Sequence, residues 1–263
     1  MFKKELWARI SKLCSVNSYP NLPCPYCGLY NLELDKETFQ NRKLSGAALE
    51  AYREKFRPVS IDETSRDGNS LGSFFAMLLL ATDFAMNEIH QFIAFFECSM
   101  CKESVSSIGI AKISSNSEKK WFEIKVESFN PPLPLFPLVE TTPNSVNEEL
   151  LSSFNHFHSD ISAAGNRMRR AIEKLCQELN ATGSNLHRKI QELSKEYPRE
   201  ANWLESLKLV GNEATHSDRV EEEDLLNSYQ IFEVVLDIFR RNFIEPKMND
   251  TATIIRKKFN NEN

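Results

Sequence analysis

Apolar residues in the second half of the chain recur every three or four positions, which predicts a series of amphipathic helices. The pattern predicts helices over 148–158 and 161–179, a third that begins at the N-cap Ser184, and a fourth over 200–210. A further helix follows, and its apolar seam steps by four and three residues: Leu225, Tyr229, Phe232, Leu236, Phe239 and Phe243. These elements predict a helical bundle.

The first half contains segments in which apolar and polar residues alternate, as they do in half-buried strands. The predicted strands are Tyr30–Leu34, Ile89–Glu97, Val105–Ile113 and Trp121–Val126, and the last two are predicted to form a hairpin. Helical segments are expected at the N-terminus, over Gly46–Phe56 and over Leu71–Met86, with a polar loop at Pro58–Ser70 between the last two. The fold class predicted for the whole chain is therefore α+β.

A proline-rich segment, FNPPLPLFPLVETTPNS, separates the two halves. Its five prolines exclude a regular helix or a central strand, so the segment is expected to be an extended linker. The predicted organisation is a zinc-ribbon domain with a helical insertion at 1–130, the linker at 131–145, a helical bundle at 146–245, and a basic polar tail at 246–263 that frays.

Composition excludes several classes of protein. The chain has 263 residues, of which 41% are hydrophobic and 26% are charged, as expected for a globular protein. A net charge of −5 argues against a protein that coats nucleic acid by bulk electrostatics, so any contact with RNA or DNA must be local. The N-terminus has no apolar signal core, and no apolar run approaches the roughly 18 residues of a membrane span. We therefore expect a cytoplasmic protein without a membrane segment.

The six cysteines divide into two groups. Two of them, Cys14 and Cys176, lie alone in helical patterns, where a buried thiol is expected. The other four form two C-x-x-C pairs, Cys24/Cys27 and Cys98/Cys101. Two such turns can hold one tetrahedral ion with four sulfur ligands, and this closed shell is typical of structural Zn²⁺. Redox chemistry of the thioredoxin type would need only one such pair in a βαβ setting.

The stretch from Leu204 to His216 joins a helical pattern to a polar cluster. Gly211 follows the apolar face of the fourth helix, at the place where a left-handed residue would end it. Asn212 and His216 then lie just beyond the predicted end. Two interpretations remain open: the turn presents an amide and an imidazole to one point in space, or it is a structural cap between two helices.

Three pieces of the C-terminal half carry a resemblance to a known family: RMRRAIEKL at 167–175, SNLHRKIQEL at 184–193 and LKLVGNEATH at 207–216. In order and spacing this half resembles the HEPN-like domain of unknown function found with prokaryotic restriction and defence proteins, often behind a zinc ribbon. The resemblance implies a helical bundle, commonly a homodimer, and in many members a metal-independent RNase.

The resemblance also implies a catalytic site with one departure from the family pattern. Asn212 and His216 match the polar residue and the histidine of the family motif, but Gly211 stands where the arginine is expected. Through this resemblance His216 would move a proton and a cation would stabilise the charged phosphorane, and Lys208 is the nearest upstream cation. The candidate catalytic residues are therefore His216, Asn212 and Lys208.

The candidate nucleic-acid contacts are Arg169, Arg170 and Arg188 on neighbouring helices. Glu173 lies four residues after Arg169, so an intrahelical salt bridge is the alternative interpretation.

Two functions are expected from these patterns. The first is a defence-associated module that binds nucleic acid, or that cuts RNA through a degenerate motif. The alternative is a non-catalytic adaptor or dimerisation subunit that docks a partner effector, in which the Gly211–His216 turn is structural. The expected partners are a second copy of the chain through the seam of the last bundle helix, RNA or DNA, and a partner protein of a defence system.

Overall fold

The computed structural model describes residues 2–55, 88–115, 120–216 and 219–260. The predicted loop at Pro58–Ser70 and the predicted helix at Leu71–Met86 lie outside these residues. The chain divides into two compact units. One comprises Met1–Ala8, Pro23–Gly28 and Pro132–Asn263, and the other comprises Arg9–Leu22 and Leu29–Pro131. Residues 1–8 and 23–28 thus belong to the same unit as the C-terminal helices, whereas the predicted boundaries placed all of residues 1–130 in one separate domain.

The second unit is built on a five-stranded antiparallel sheet with the order β1-β5-β4-β3-β2. The strands are β1 (Cys14–Ser15), β2 (Leu32–Lys43), β3 (Glu88–Cys98), β4 (Ser104–Ser115) and β5 (Lys120–Asn130). Helix α1 (Lys4–Ile10) begins in the other unit, and only its last two residues belong to this one. A 3₁₀ turn (Val16–Ser18) precedes β2, and α2 (Gly46–Lys55) follows it. The predicted hairpin is confirmed as β4 and β5, and the helix predicted at Gly46–Phe56 is confirmed as α2.

The sheet buries one of its faces through alternate side chains. In β3 the residues Phe92, Ala94 and Phe96 are buried and alternate with exposed ones, because successive side chains of a strand point to opposite faces. Phe96 packs edge-to-face against Tyr19 and Phe129, with ring centroids 5.5 and 5.6 Å apart. This aromatic cluster forms the centre of the sheet's core.

The other unit consists mainly of helices. They are α3 (Asn144–Phe157), α4 (Ile161–Glu178), α5 (Leu186–Leu193), α6 (Pro198–His216), α7 (Glu222–Val235) and α8 (Asp237–Asn260). Asn185, and not the predicted Ser184, is the N-cap of α5, since its side chain accepts a hydrogen bond from the Arg188 N–H at 3.0 Å. Together the sheet and the helices confirm the α+β class. Within the described ranges, every helix is either too short or too polar to cross a bilayer.

The proline-rich segment is packed instead of extending freely through solvent. Leu133, Leu135 and Phe136 in it are buried, and the Trp7 indole N–H donates to the Leu135 carbonyl at 2.8 Å. Phe136 also packs against Phe154 of α3, with ring centroids 5.0 Å apart. The expectation of a non-helical, non-strand segment holds for residues 131–143, but the segment begins within β5 and ends within a helix that starts at Asn144, and its buried part belongs to the core of the helical unit.

Gly211 does not end a helix, so the predicted C′ position is wrong. Helix α6 continues through it to His216, and the Thr215 hydroxyl donates to the Gly211 carbonyl at 2.8 Å. A Cβ at Gly211 would lie 2.7 Å from the Cβ of Arg169 on α4. The glycine is therefore needed for the close approach of α4 and α6, and not for a left-handed turn.

Two predictions about the last helices also need correction. The apolar seam predicted for one helix is divided, because α7 ends at Val235 and α8 begins at Asp237. Leu225, Tyr229 and Phe232 are buried inside the unit, whereas Phe243 is 55% exposed. The tail after Pro246, expected to fray, continues α8 as far as Asn260.

Candidate metal centre and the predicted helical site

Each C-x-x-C pair lies in a turn of the same construction. In the first turn the Gly28 N–H donates to the Cys24 carbonyl at 2.9 Å, and in the second the Lys102 N–H donates to the Cys98 carbonyl at 2.9 Å. The residue after the second cysteine is left-handed in both, with φ of 73° at Gly28 and 64° at Lys102. A backbone turn that reverses the chain in this way directs two thiols toward one point.

The structure brings together the four cysteines that the sequence singled out. The Sγ atoms of Cys24, Cys27, Cys98 and Cys101 all lie within 4.8 Å of one another. Cys24 and Cys98 are buried, Cys101 is partly exposed and Cys27 is exposed. Four sulfur atoms that lie about 2.3 Å from a tetrahedral ion are about 3.8 Å apart. The four thiols would therefore need to move only slightly closer together to bind a metal ion. The donor set and its size therefore fit a four-sulfur metal site.

The other two cysteines have a different environment. Cys14 lies in strand β1 and not in the helix predicted for it; it is buried, and its Sγ donates to the Arg9 carbonyl at 3.1 Å. Burial raises the pKa of the Cys14 thiol, and it raises the pKa of Cys176 to about 12. Both thiols therefore stay protonated at neutral pH and behave as small buried apolar groups, as predicted.

The three predicted catalytic residues follow one another at intervals of four on α6. Lys208, Asn212 and His216 consequently share one face of that helix. The Lys208 ammonium contacts the Glu205 carboxylate one turn earlier, and its Nζ lies 3.2 Å from Nδ1 of His187 on α5. Asn212 is partly exposed, and the side chain of His216 lies outside the described residues.

Glu205 is the residue around which this cluster forms, and the sequence analysis did not identify it. Its carboxylate accepts from Lys208 and lies 2.7 Å from Nδ1 of His187. Partial burial opposes its ionisation, but the contacts with Lys208 and His187 outweigh that cost and lower the pKa of Glu205. The carboxylate is thus charged at neutral pH and neutralises the lysine. The i,i+3 spacing of Glu205 and Lys208 could have indicated this pair, whereas His187 comes from another helix.

The predicted nucleic-acid contacts on α4 also have carboxylate neighbours. Arg170 Nη2 lies 2.7 Å from Oε1 of Glu149, a largely buried glutamate of α3, and Arg167 reaches the other oxygen at 3.2 Å. Arg169 Nη2 lies 3.7 Å from Oε1 of Glu173, so the alternative interpretation of that arginine as an i,i+4 ion pair is confirmed. Arg188 is exposed on α5.

Comparison with known families gives one match in the helical unit. A family described as a domain of unknown function, DUF4145, matches residues 151–259, which extend from α3 through most of α8. None of the curated proteins and none of the solved structures compared with the chain matches it. The match supports the helical unit as a recurrent module and carries no assigned activity.

Proposed function

We propose that this chain is a non-catalytic adaptor, in which a zinc-stabilised N-terminal part accompanies a HEPN-like helical module that docks other proteins. The observation that carries the proposal is that three of the four predicted catalytic and RNA-binding cations contact a carboxylate, while the fourth, Arg188, is exposed. Lys208 is paired with Glu205, Arg170 with Glu149 and Arg169 with Glu173. In each case a carboxylate already occupies the place that a phosphate group would take.

The electrostatic argument against a nuclease site is strongest at Lys208. Its side chain is only 13% exposed, and an ionised carboxylate contacts its ammonium group. A cation that stabilises a phosphorane must present its charge to the reacting phosphate in a site prepared for that charge. Lys208 would have to leave Glu205 to do so, which would leave the partly buried carboxylate with only His187 beside it.

The four-cysteine cluster supports the part of the proposal that concerns a structural zinc site. Four thiolates with tetrahedral spacing are the donor set that structural zinc sites use, and four protein ligands leave no position for water or substrate. In this proposal Zn²⁺ supplies folding free energy and no chemistry. The exposed thiol of Cys27 and the buried thiols of Cys24 and Cys98 would all be held as thiolates by the ion.

A metal-independent RNase is the second candidate function, and one observation favours it. Lys208, Asn212 and His216 are aligned on one face of α6 by their four-residue spacing. This alignment is what a site composed of a cation, an amide and an imidazole would need. The resemblance to HEPN-like proteins is the support for this activity and for a role in prokaryotic defence.

Substitution of Arg170 by glutamine tests whether Arg170 stabilises the fold or contacts RNA. We expect Arg170→Gln to lower the free energy of unfolding by about 1 kcal/mol, since Glu149 then keeps only Arg167, and to leave RNA binding unchanged. Thermal unfolding and the fluorescence anisotropy of a labelled single-stranded RNA at several salt concentrations measure the two effects.

Arg240→Gln is the matched control, because Arg240 is an exposed arginine of α8 that is not among the candidate RNA contacts. We expect this control to change neither stability nor RNA binding. A loss of RNA affinity in Arg170→Gln with a shallower salt dependence and an unchanged melting temperature would instead identify Arg170 as a phosphate contact and contradict the adaptor proposal.

A further inference from the structure

The distal segment of α8, residues 243–260, presents large apolar side chains to solvent. The helix packs against the rest of its unit near its start, where Ile238 is buried and the Asn242 side-chain amide donates to the Tyr197 hydroxyl at 2.7 Å. Beyond that point every residue from 243 to 259 except Ala252 is exposed. Six of these exposed residues are large and apolar, with exposed fractions from 38% to 68%: Phe243, Ile244, Met248, Ile254, Ile255 and Phe259.

The apolar side chains of the distal segment form two groups around the helix. Four of them make a narrow stripe about 22 Å long, because at about 100° per residue they fall within an arc of about 60°. The stripe consists of Ile244, Met248, Ile255 and Phe259. Phe243 and Ile254 lie together farther around the helix, and Lys247 and Lys258 lie between the two groups. The exposed face is therefore an apolar face with two lysines inside it.

The two lysines lie close to the aromatic rings of this face. Lys247 Nζ is 3.7 Å from the centroid of the Phe243 ring, and Lys258 Nζ is 5.4 Å from the centroid of the Phe259 ring. A protein partner that covered the whole face would bury both ammonium groups, which is costly unless each meets a carboxylate. At a lipid surface the apolar stems of the lysines lie along the membrane while their ammonium groups reach the phosphates. The position of the lysines thus favours lipid headgroups over a dry protein interface.

The distal segment has the opposite charge from the chain as a whole. It contains four basic and two acidic residues, a net charge of +2, whereas the whole chain carries −5. Three of the basic residues are consecutive, at positions 256–258 in the last turns of the helix. An acidic protein with a locally basic helix is attracted to an anionic surface through that helix.

Nucleic acid is also anionic, but it leaves the apolar side chains without a role. Contacts with a phosphate backbone use cations, whereas aliphatic side chains such as Met248 and Ile255 gain free energy when they leave water. Because apolar and basic side chains alternate around the same segment, a surface that offers both phosphates and hydrocarbon fits it better.

The composition of the distal segment indicates that a surface stabilises the helix. Pro246 lacks a backbone N–H, and four of the five residues at positions 251–255 are β-branched, which lowers intrinsic helix propensity. Most of the stability of a helix comes from burial of its apolar face. A surface that takes up the stripe would therefore stabilise the distal segment.

We propose that the distal segment of α8 binds the surface of a membrane that contains anionic phospholipids, with the helix axis parallel to the membrane plane. Met248 and Ile255, at the centre of the stripe, enter the boundary between headgroups and acyl chains, and Lys247 and Lys258 contact the phosphates. Binding of this kind needs no membrane-spanning helix. It adds a location to the adaptor function and does not depend on that function.

Co-sedimentation of the full chain with lipid vesicles tests this proposal. We expect binding to vesicles of phosphatidylcholine that contain about 30% phosphatidylglycerol, and about tenfold weaker binding to phosphatidylcholine alone. Binding to the anionic vesicles should also weaken as the salt concentration rises, because salt screens the basic residues.

Ile255→Asp should weaken binding to the anionic vesicles about tenfold, because it places a carboxylate in the centre of the stripe. Thr253→Asp is the matched control: it adds the same charge at an exposed β-branched residue on the opposite side of α8, and it should weaken binding by less than about twofold. The uncharged Met248→Gln provides a second variant if Ile255→Asp lowers the helical content of the chain, and it should weaken binding severalfold.

A wild-type chain that does not bind the anionic vesicles overturns the proposal, and so does binding that all three variants reduce equally. Equal binding to phosphatidylcholine alone also overturns it, because the basic residues would then play no part. A chain that binds a labelled single-stranded RNA through the distal segment, and binds no vesicles, overturns it in favour of nucleic acid. None of these outcomes changes the expected effect of Arg170→Gln, so the membrane proposal can fail while the adaptor proposal stands.

Discussion

Replacing Cys98 with serine is expected to abolish metal binding and to lower the free energy of unfolding by more than about 3 kcal/mol. Cys98 is fully buried at the end of β3, where its N–H donates to the Glu103 carbonyl at 2.9 Å and its backbone pairs with Leu32 of β2. Its Sγ belongs to the four-sulfur cluster. A serine leaves three thiols around the site, which cannot close a tetrahedral shell of sulfur.

Elemental analysis of the purified chain and thermal unfolding measure the two parts of this effect. The wild-type chain should contain one zinc per chain, and chelation of the metal should melt the sheet before the helices. Cys14→Ser is the control, because Cys14 is also buried but lies outside the cluster, and a serine hydroxyl can still donate to the Arg9 carbonyl. A Cys98→Ser chain with full metal content and an unchanged melting temperature would exclude the structural metal site.

Substitution of Gly165 by alanine is expected to destabilise the helical unit by about 1–3 kcal/mol. A Cβ at Gly165 on α4 would lie 2.5 Å from the Cβ of Ala214 on α6, closer than two methyl groups can approach. In an exposed helix the same change would stabilise by about 1 kcal/mol, because alanine has the higher helix propensity. The sign of the effect therefore reports the close packing of α4 against α6.

A double substitution tests whether this clash is the cause. Ala214→Gly removes the opposing methyl group, so the Gly165→Ala/Ala214→Gly chain should recover most of the stability lost by Gly165→Ala alone, apart from the cost of the new glycine. Denaturant unfolding of the four chains gives the coupling energy. Additive effects of the two substitutions would show that the helices do not meet at these two residues.

The strands and the cysteine cluster show what the sequence alone could predict. The apolar residues of β3 predicted a strand, but the exposed Ile93 and Phe95 are as apolar as the buried Phe92, Ala94 and Phe96, so the sequence did not indicate which face is buried. Only the start of β2 was predicted, because this edge strand continues through a polar stretch, LELDKETFQNRK, most of which is not buried. The C-x-x-C spacing identified all four clustered thiols, since ligand spacing within a turn is a local property.

The helical site shows where local patterns were insufficient. A glycine after an apolar helical face looks the same in sequence whether it ends the helix or allows a second helix to approach, and at Gly211 the contact with Arg169 decides the matter. The ion pair of Arg169 with Glu173 follows from i,i+4 spacing, but the pair of Arg170 with Glu149 joins two helices. Tertiary contacts of this kind changed the interpretation of the predicted RNA-binding residues.

RNA cleavage in the presence of a chelator that removes free divalent ions distinguishes a non-catalytic adaptor from a metal-independent nuclease. We expect both the wild-type chain and His216→Ala to leave a labelled single-stranded RNA intact. Cleavage by the wild-type chain that is lost in His216→Ala, with an unchanged melting temperature, would contradict the account and establish His216 as a catalytic residue.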